Sequence, residues 1–515
     1  MPVTLEQLVD GLPRACPGPG GAVAVLRDGE VLVAHAWGWA NAELRIPFTP
    51  RTLFRICSIT KQFTCGVMLD AFPDPSVLDA DVRARLPALE QTAPGALHLA
   101  HNQSGLRDYW ALAMLHGSPA EEPFGEHEAR AVIAGARTLQ FEPGTRYSYA
   151  NQNFRILSDI VQERTGRTFA ALLRDRIFQP AGMAGALLAA DTRALPDGAE
   201  GYEGNPAAGF RAAENRILWT GDAGMAASLD DMIAWEQYID ATRDDPDGLY
   251  RRLSAPVSFA DGAQSGYGFG LGRSVELGRP ITSHSGGLRG WSSHRMYAPG
   301  ERISVVVLFN HNRDAHDTAV DLFAAALGED RPRPDGEAPA PAWLGAYTAP
   351  ETGLSARIET ASKGQVRLAY GYPAEVLDLR TDGGAAADRT RLRPGPDGLR
   401  MDRPGENASL LLEPLVGEAS VDIAGRYRCA ELGAELTVVH AGGAHYGAFS
   451  GFLGAGRMEL LEPVAGDVWV APCRRALDFT PPGDWTLAFR RGADGKIVGI
   501  EVGCWLARKL SYDRI

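Results

Sequence analysis

The sequence predicts a protein of several domains, in which an α/β domain with an antiparallel sheet precedes two smaller antiparallel β domains. Its 515 residues correspond to about three domains at the usual size of about 100–200 residues each. Strand and helix patterns alternate through the first 330 residues, whereas short alternating segments and turns fill the remainder. A weak repeat with an offset of 80 residues indicates that this last part contains two similar units.

The first domain is predicted from strand patterns at its two ends and helical patterns between them. Residues 21–26 and 31–35 are apolar strand segments on either side of Asp28-Gly29, a pair typical of a two-residue hairpin. Ile303–Phe309 predicts a buried strand near the end of the domain. Apolar residues recur at helical spacing in three segments between them, at Ile59, Phe63 and Val67, at Phe154, Leu157, Ile160 and Val161, and at Phe169, Leu172, Leu173 and Ile177. Strands at both ends with helices between them indicate one α/β unit, which we assign to residues 1–330.

The chain changes character at residues 329–342, where four prolines and several charges without apolar periodicity predict a linker. Beyond it, Gly345 and Tyr347 recur as Gly425 and Tyr427, and an alternating segment follows each pair. We therefore expect two similar antiparallel β domains, in which closed barrels would pair the strand edges that are otherwise exposed. We assign them to residues 343–414 and 415–515.

Charge and composition exclude several classes of function. The net charge is −13, whereas nucleic-acid binding and attachment to an anionic membrane both require positive surface. The first twenty residues show neither the basic segment nor the apolar segment of a secretory signal, and we expect a cytoplasmic protein with reduced thiols. The six cysteines show no metal-ligand spacing, and no P-loop or dinucleotide-binding motif is present, so we expect no metal and no cofactor.

The strongest chemical motif is Ser58-Ile59-Thr60-Lys61. Serine and lysine three residues apart share one face of a helix, which places a hydroxyl nucleophile beside a nitrogen that can accept its proton. The lysine must be neutral to act as a base, so its surroundings must lower its pKa. The alternative interpretation of this motif alone is a helix-capping serine with a surface lysine.

Two further elements strengthen the catalytic interpretation. Tyr149-Ala150-Asn151 lies 91 residues after Ser58 in a loop before a helical segment, and His284-Ser285-Gly286 lies 135 residues further on. Separately, the tyrosine could be a packing aromatic and the histidine a structural one. The order S-x-x-K, Y-x-N, H-x-G resembles the penicillin-recognising serine hydrolases, which include class C β-lactamases, DD-peptidases, esterases and aminopeptidases. The resemblance implies that Ser58 is acylated, that Lys61 and Tyr149 share its proton, and that Asn151 orients the substrate.

Further segments narrow the resemblance to the D-aminopeptidases of that superfamily over essentially the whole chain. They are ICSITKQFTC around Ser58, NQSGLRDYWAL from Asn102, DMIAWEQYIDATRDD from Asp231, LRGW from Leu288, YGAF from Tyr446 and VGCWLAR from Val502. The resemblance implies a β-lactamase-type catalytic domain followed by two eight-stranded antiparallel barrels. It also implies a cytoplasmic homodimer that removes N-terminal D-residues, D-alanine above all and also glycine or D-serine, from small peptides, amides and esters.

The resemblance also assigns substrate contacts. His284 stands where β-lactamases and DD-peptidases usually have lysine, and a neutral imidazole is a weaker anchor for a substrate carboxylate. In the family, a loop of the last domain recognises the substrate amine. The matching segment is residues 474–484, in which Asp478 is the expected carboxylate, although from the sequence alone a solvated hairpin aspartate is an alternative. The main-chain amides of Ser58 and Gly287 are the expected oxyanion donors, and Arg289 is expected to line the same wall.

Two other hypotheses remain open at this stage. The first is a β-lactamase, DD-carboxypeptidase or esterase of the same superfamily, against which the H-x-G triplet and the segment 474–484 argue. The second is a non-catalytic ligand sensor with the same fold, against which the complete set of Ser58, Lys61 and Tyr149 argues. β-Lactams are expected to act as inhibitors under the leading hypothesis.

Overall fold

The structure is a computed structural model of the chain, and it describes residues 4–331, 341–371, 374–473, 476–478 and 483–515. Within these residues, no helix combines the length and the apolarity that are needed to cross a bilayer.

The first domain combines strands and helices along its whole length. Its strands are β1 Gly20–Arg27, β2 Glu30–Asn41, β3 Ile46–Pro47, β4 Phe54–Arg55, β5 Leu187–Leu188, β6 Tyr202–Asn205, β7 Gly209–Ala212, β8 Met225–Ala227, β9 Tyr267–Gly268, β10 Leu271–Glu276, β11 Arg279–Leu288, β12 Trp291–Ala298 and β13 Ile303–Phe309. Its helices are α1 Leu5–Ala15, α2 Thr60–Ala71, α3 Asp79–Arg85, α4 Ala96–Ala100, α5 Tyr109–Leu115, α6 Glu126–Ala134, α7 Gln152–Thr165, α8 Phe169–Leu173, α9 Gln179–Ala181, α10 Leu229–Ala241, α11 Leu249–Leu253 and α12 Ala315–Leu327.

One antiparallel sheet organises this domain, in the strand order β3-β2-β1-β13-β12-β11-β10-β9. The predicted hairpin is confirmed, because β1 and β2 pair through a turn in which Asp28 has φ 54° and Gly29 has φ 78°. Left-handed φ at both turn residues matches the right-handed twist of the two strands. The predicted strand Ile303–Phe309 pairs with β1, which joins the two ends of the domain in the centre of one sheet.

Helices cover both faces of the sheet. Helices α1 and α12 pack against one face through a separate apolar cluster that includes Val25, Val305 and Phe323. On the other face, α2 lies in the main core, with every residue from Thr60 to Leu69 buried, and packs against α7. This burial explains why α2 lacks a polar face, and it places the S-x-x-K segment between the sheet and the other helices.

The remainder of the chain forms two antiparallel β domains. The first is a closed barrel whose strands are β14 Gly345–Ala349, β15 Leu354–Thr360, β16 Gln365–Ala369, β17 Glu375–Leu379, β18 Ala385–Ala386, β19 Arg391–Gly395, β20 Gly398–Arg403 and β21 Ala408–Pro414. The second contains β22 Gly425–Cys429, β23 Ala434–Ala441, β24 Ala444–Gly451, β25 Gly454–Ala455, β26 Glu459–Leu460, β27 Glu462–Ala465, β28 Val468–Ala471, β29 Trp485–Arg491, β30 Ile497–Cys504 and β31 Ala507–Arg514.

The second of these sheets is strongly curled. Its bent segment, residues 459–465, pairs through β26 with β24 and through β27 with β28, so it connects the two sides of the curled sheet. The predicted architecture of a β-lactamase-type domain followed by two antiparallel barrel-like domains is therefore confirmed, with full closure in the first of the two.

The 80-residue repeat has a structural counterpart. Tyr347 and Tyr427 occupy the same position in the first strands of the two β domains, and each hydroxyl donates a hydrogen bond to a carbonyl four residues upstream, at 2.5 Å to Trp343 and at 2.7 Å to Ile423. Helix α12 ends at Leu327 and β14 begins at Gly345. Most of the proposed linker lies outside the described residues, so the bounds of the three domains stay predictions.

Candidate active site

Ser58 lies in a tight turn that the sheet holds against the start of α2. A 3₁₀ turn spans Cys57–Ile59 and continues directly into α2, and Cys57 has φ 51°, a conformation that is unusual for a residue with a side chain. The turn rests on β11 at Gly286, where an added Cβ would lie 2.2 Å from the carbonyl oxygen of Ile56. Only glycine permits this close approach, which fixes the position of the partly exposed Ser58 relative to β11.

Lys61 is completely buried one helical turn after Ser58, and its amine has three partners. The Nζ atom lies 2.9 Å from the Ser58 Oγ, 2.8 Å from the Asn151 Oδ1 and 2.7 Å from the carbonyl oxygen of Asp222. Burial lowers the pKa of Lys61 to about 8, although the carboxylates of Asp222, Asp108 and Asp478 act in the opposite direction. The amine is therefore partly neutral near neutral pH, which the sequence argument required of a base.

Asn151 is oriented by a buried carboxylate. The Asp108 Oδ2 accepts hydrogen bonds from the main-chain amide of Asn151 at 2.7 Å and from its side-chain Nδ2 at 2.9 Å. Because Nδ2 is bound to Asp108, the Asn151 Oδ1 points to Lys61. The predicted Y-x-N element therefore contacts the predicted S-x-x-K element directly.

Tyr149 and His284 complete the wall around Ser58. Tyr149 lies beside the Ser58 side chain, and its ring centre lies 4.9 Å from the Lys61 Nζ. Burial raises the pKa of Tyr149 well above its usual value, so the phenol is neutral. The rings of Tyr149 and His284 are 6.2 Å apart, and Tyr267 packs edge-on against both.

His284 is held as a neutral imidazole. Its Nδ1 lies 2.6 Å from the carbonyl oxygen of Ser285, and its Nε2 lies 3.0 Å from the hydroxyl of Tyr267. A carbonyl only accepts, so Nδ1 carries the proton and Nε2 accepts from the tyrosine. Burial, followed by the nearby Lys61 charge, lowers the pKa of His284 to about 3. This side chain presents no positive charge to a substrate carboxylate.

Gly287 exposes its main-chain amide at the edge of the sheet. Leu288 pairs with Trp291 across a two-residue turn, so in the antiparallel register Gly287 and Ser292 do not exchange hydrogen bonds. On its other side, β11 extends beyond the last residue paired with β10, which is Ser283. The Gly287 amide therefore points away from β12, at an edge that β10 does not cover.

Asp478 comes from the last domain, and its charge acts on Lys61 and Tyr149. It is 8% exposed, and its Oδ1 has no hydrogen-bond partner among the described residues. Burial, followed by the Asp108 charge, raises the pKa of Asp478 well above its usual value, while Lys61 and Arg289 act in the opposite direction. The predicted segment 474–484 also includes residues 474–475 and 479–482, which lie outside the described residues.

Arg289 is buried at the turn between β11 and β12. Its guanidinium donates to the carbonyl oxygen of Glu214 and lies 3.5 Å from the Glu121 carboxylate. These contacts anchor the turn, and the Arg289 charge acts on Asp478. Its predicted role in lining the wall of the cleft stays a prediction.

The sequence analysis missed three residues of this site. Asp108, Asp222 and Tyr267 each contact a predicted site residue. Asp108 precedes an apolar segment in the manner of a helix-capping residue, and this signal could have identified it. Asp222 reaches Lys61 through a main-chain carbonyl, and a contact of that kind leaves no sequence pattern.

Comparison with known proteins identifies the family. A β-lactamase family model matches residues 5–330, and a model of D-aminopeptidase domain B matches residues 337–513. The D-aminopeptidase of Gluconobacter oxydans (strain 621H) is 58% identical over 520 residues, which cover 99% of this chain and 98% of the relative. This chain belongs to the D-aminopeptidase family. Another member of the family, from Brucella canis, is 48% identical over 512 residues, with 99% of both chains covered.

Solved structures with lower identity share the fold. The octameric penicillin-binding protein homologue from Pyrococcus abyssi has a TM-score of 0.54 at 20% identity, covering 79% of this chain and 98% of that one. The D-amino acid amidase from Ochrobactrum anthropi SV3, in complex with D-phenylalanine, has a TM-score of 0.51 at 20% identity, covering 63% of this chain and 99% of that one. Both show that the catalytic domain of this D-aminopeptidase family member shares its fold with these proteins.

Proposed function

We propose that this chain hydrolyses the bond after an N-terminal D-residue of small peptides, amides and esters through an acyl-enzyme on Ser58. The observation that carries the proposal is the environment of the Lys61 amine. Two fixed acceptors, the Asn151 Oδ1 and the Asp222 carbonyl oxygen, occupy two of its directions. In the neutral amine, the two N–H groups donate to these two acceptors. The lone pair of the nitrogen therefore points to the hydroxyl of Ser58.

In the first step, the Ser58 hydroxyl proton passes to the Lys61 Nζ while the Oγ attacks the carbonyl carbon of the N-terminal residue. The main-chain amides of Ser58 and Gly287 stabilise the resulting oxyanion. When the C–N bond breaks, the proton on Lys61 reaches the leaving amine through the neutral hydroxyl of Tyr149. The products of this step are an ester on Ser58 and the shortened peptide or amine.

In the second step, water attacks the ester and gives a proton to Lys61. The Ser58 Oγ then leaves, takes up that proton, and the free D-amino acid departs. In both steps the side-chain amide of Asn151 orients the substrate and the Lys61 amine. His284 borders the cleft and is neutral, so the substrate needs no free C-terminal carboxylate.

Asp478 is the group that selects a free N-terminus. Its buried Oδ1 has no hydrogen-bond partner in the described part of the chain, and an incoming ammonium would supply one. Ala476 and Leu477, which precede Asp478, are also buried. We infer that this approach of the last domain to the site favours small residues such as D-alanine, glycine and D-serine and makes bulky β-lactams inhibitors rather than substrates. The D preference is supported by the names of the full-length relatives.

The test compares D-Ala-, L-Ala-, Gly- and N-acetyl-D-Ala-p-nitroanilide with the wild type and two variants. Ser58→Ala should abolish turnover of all four while leaving the unfolding transition unchanged. Asp478→Asn should lower kcat/KM for D-Ala-p-nitroanilide about 10- to 100-fold, because it removes one charge-assisted hydrogen bond, and should leave the acetylated substrate unaffected. Residual Ser58→Ala activity, or a wild type faster on L-Ala than on D-Ala, would refute the proposal.

We propose further that the protein is a cytoplasmic homodimer. Cys16, Cys57, Cys65, Cys429 and Cys504 are thiols in the part of the chain that the structure describes, which supports a reducing compartment. The outer edge of β2 supports a dimer, because Val31 and Leu32 are 41% and 45% exposed. Among the described residues, the outer partner of this strand is β3, which pairs with Trp39 and Asn41 and leaves Val31 and Leu32 unpaired on that side. Light scattering should give twice the mass of the chain, and Leu32→Lys should give a monomer; a wild-type monomer would contradict the dimer.

A further inference from the structure

We propose that Asp108 is a positioning residue of the reaction, and that the last domain holds it in place. It aligns Asn151, and through Asn151 the amine of Lys61, with the hydroxyl of Ser58. The inference rests on the proposed function and adds to it a residue that the reaction mechanism above does not require to touch the substrate.

The first argument is the set of contacts around the Asp108 carboxylate. The side chain is completely buried and accepts four hydrogen bonds. Its Oδ1 caps α5 by accepting from the amides of Trp110 at 3.0 Å and Ala111 at 3.2 Å. Its Oδ2 accepts both bonds from Asn151, which leaves that amide a single orientation toward Lys61. The carboxylate therefore connects a helix terminus to the catalytic lysine through one side chain.

The second argument is that the last domain anchors the same segment of main chain. The amide of Asp108 donates to the carbonyl oxygen of Leu506 at 3.0 Å, and the Arg107 Nε donates to that of Arg508 at 2.8 Å. The Arg107 Nη1 also lies 3.2 Å from the Glu431 carboxylate. Three contacts, to the β30–β31 turn, to the start of β31 and to the β22–β23 turn, thus fix the two residues that precede α5.

The third argument is electrostatic. Asp108 is one of three carboxylates whose charge raises the pKa of Lys61, the others being Asp222 and Asp478, and the buried thiol of Cys57 acts in the same direction. Removal of the Asp108 charge therefore lowers the pKa of Lys61 further. Activity that depends on neutral Lys61 must then extend to lower pH, a change that a general loss of packing does not produce.

The test is Asp108→Asn in the full-length protein, with D-Ala-p-nitroanilide as substrate. We expect kcat to fall about 10- to 100-fold because the alignment of Lys61 is lost, with KM changed less than about threefold. The acid limb of the kcat–pH profile should move to lower pH. An unchanged kcat, or a lower kcat without movement of the acid limb, would overturn the inference.

Asp231→Asn is the matched control. Asp231 is also a buried carboxylate at the start of a helix, and it accepts hydrogen bonds from Gly185 and from both the main chain and the hydroxyl of Ser228, but it contacts none of the site residues. In urea titrations, the Asp231→Asn variant should lose about as much free energy of unfolding as Asp108→Asn. Its kcat–pH profile should remain that of the wild type. A shifted profile in this control would show that the readout does not isolate Asp108.

Glu431→Gln provides the same test from the last domain if Asp108→Asn fails to fold. Glu431 is 20% exposed and contacts none of the site residues. Its carboxylate contacts Arg107 and also accepts hydrogen bonds from the amide and hydroxyl of Thr138, so its replacement weakens the anchor of Arg107 without altering the site itself. We expect a fall in kcat of about two- to tenfold at unchanged KM, and an unchanged kcat would refute the role of the last domain. Residual activity of Ser58→Ala would instead refute the proposed function itself.

Discussion

At the scale of single residues, burial shifts the pKa values of the site residues in different directions, and these shifts give the residues different chemical roles. Burial disfavours the charged form, so it lowers the pKa of Lys61 to about 8 and that of His284 to about 3, and it raises that of Tyr149. One group is therefore a base near neutral pH, and the other two are neutral hydrogen-bonding groups. The same physical effect assigns three different roles.

This division predicts the pH dependence of Ser58 reactivity. An organophosphonate fluoride, which has no titratable group, should inactivate the wild type at a rate that rises as pH increases through about 8 and then levels, because neutral Lys61 is the reactive form. Lys61→Arg should react at least about 100-fold more slowly, with no rise up to pH 10, because arginine stays protonated. A Lys61→Arg variant that follows the wild-type profile would exclude Lys61 as the base.

At the scale of elements, strand β11 provides several parts of the site within a few residues. His284 contributes a side chain to the cleft, Gly286 permits contact with the turn that carries Ser58, and Gly287 exposes an amide at the sheet edge. His284 and Gly286 are two residues apart and therefore share one face of the strand, whereas the Gly287 amide lies along the sheet edge. A single rigid strand thus sets the distance from the nucleophile to the oxyanion donor.

Gly286→Ala tests this arrangement. The added Cβ would lie 2.2 Å from the Ile56 carbonyl oxygen, so β11 and the Ser58 turn must separate. We expect the free energy of unfolding in urea to fall by about 1–3 kcal/mol and kcat/KM to fall at least about tenfold. Gly300→Ala, in a turn with nothing within 4 Å of the added Cβ, should leave both measurements unchanged. Wild-type kcat/KM in Gly286→Ala would show that the close contact is dispensable.

At the scale of the whole molecule, both β domains contact the loops of the catalytic domain that carry site residues. The closed barrel accepts a hydrogen bond from the amide of Tyr147 at the carbonyl of Glu406, two residues before Tyr149. The last domain bonds to Arg107 and Asp108 and contributes Asp478. Residues beyond the catalytic domain therefore shape the catalytic centre, although the motifs of the acylation chemistry lie before residue 330.

Glu431→Ala measures the strength of this connection between domains. The Arg107 side chain is 6% exposed, so loss of its carboxylate partner leaves a buried charge with weaker compensation. We expect the free energy of unfolding to fall by about 1–3 kcal/mol in urea titrations. Glu90→Ala removes an ion pair with Arg137 whose side chains are 56% and 49% exposed, and it should change stability by less than about 0.5 kcal/mol. Equal effects of the two variants would contradict a stabilising interface.

The sequence by itself determined the class of fold, the hairpin at Asp28-Gly29 and the three motifs around Ser58, Tyr149 and His284. These features depend on local patterns: strand alternation, helical spacing and residue types at short, fixed separations. Only the tertiary structure brought Asp108, Asp222 and Tyr267 to the site. Their contacts join residues far apart in the chain, partly through main-chain atoms, and the burial that sets the pKa of Lys61 is a property of the packed protein rather than of any segment.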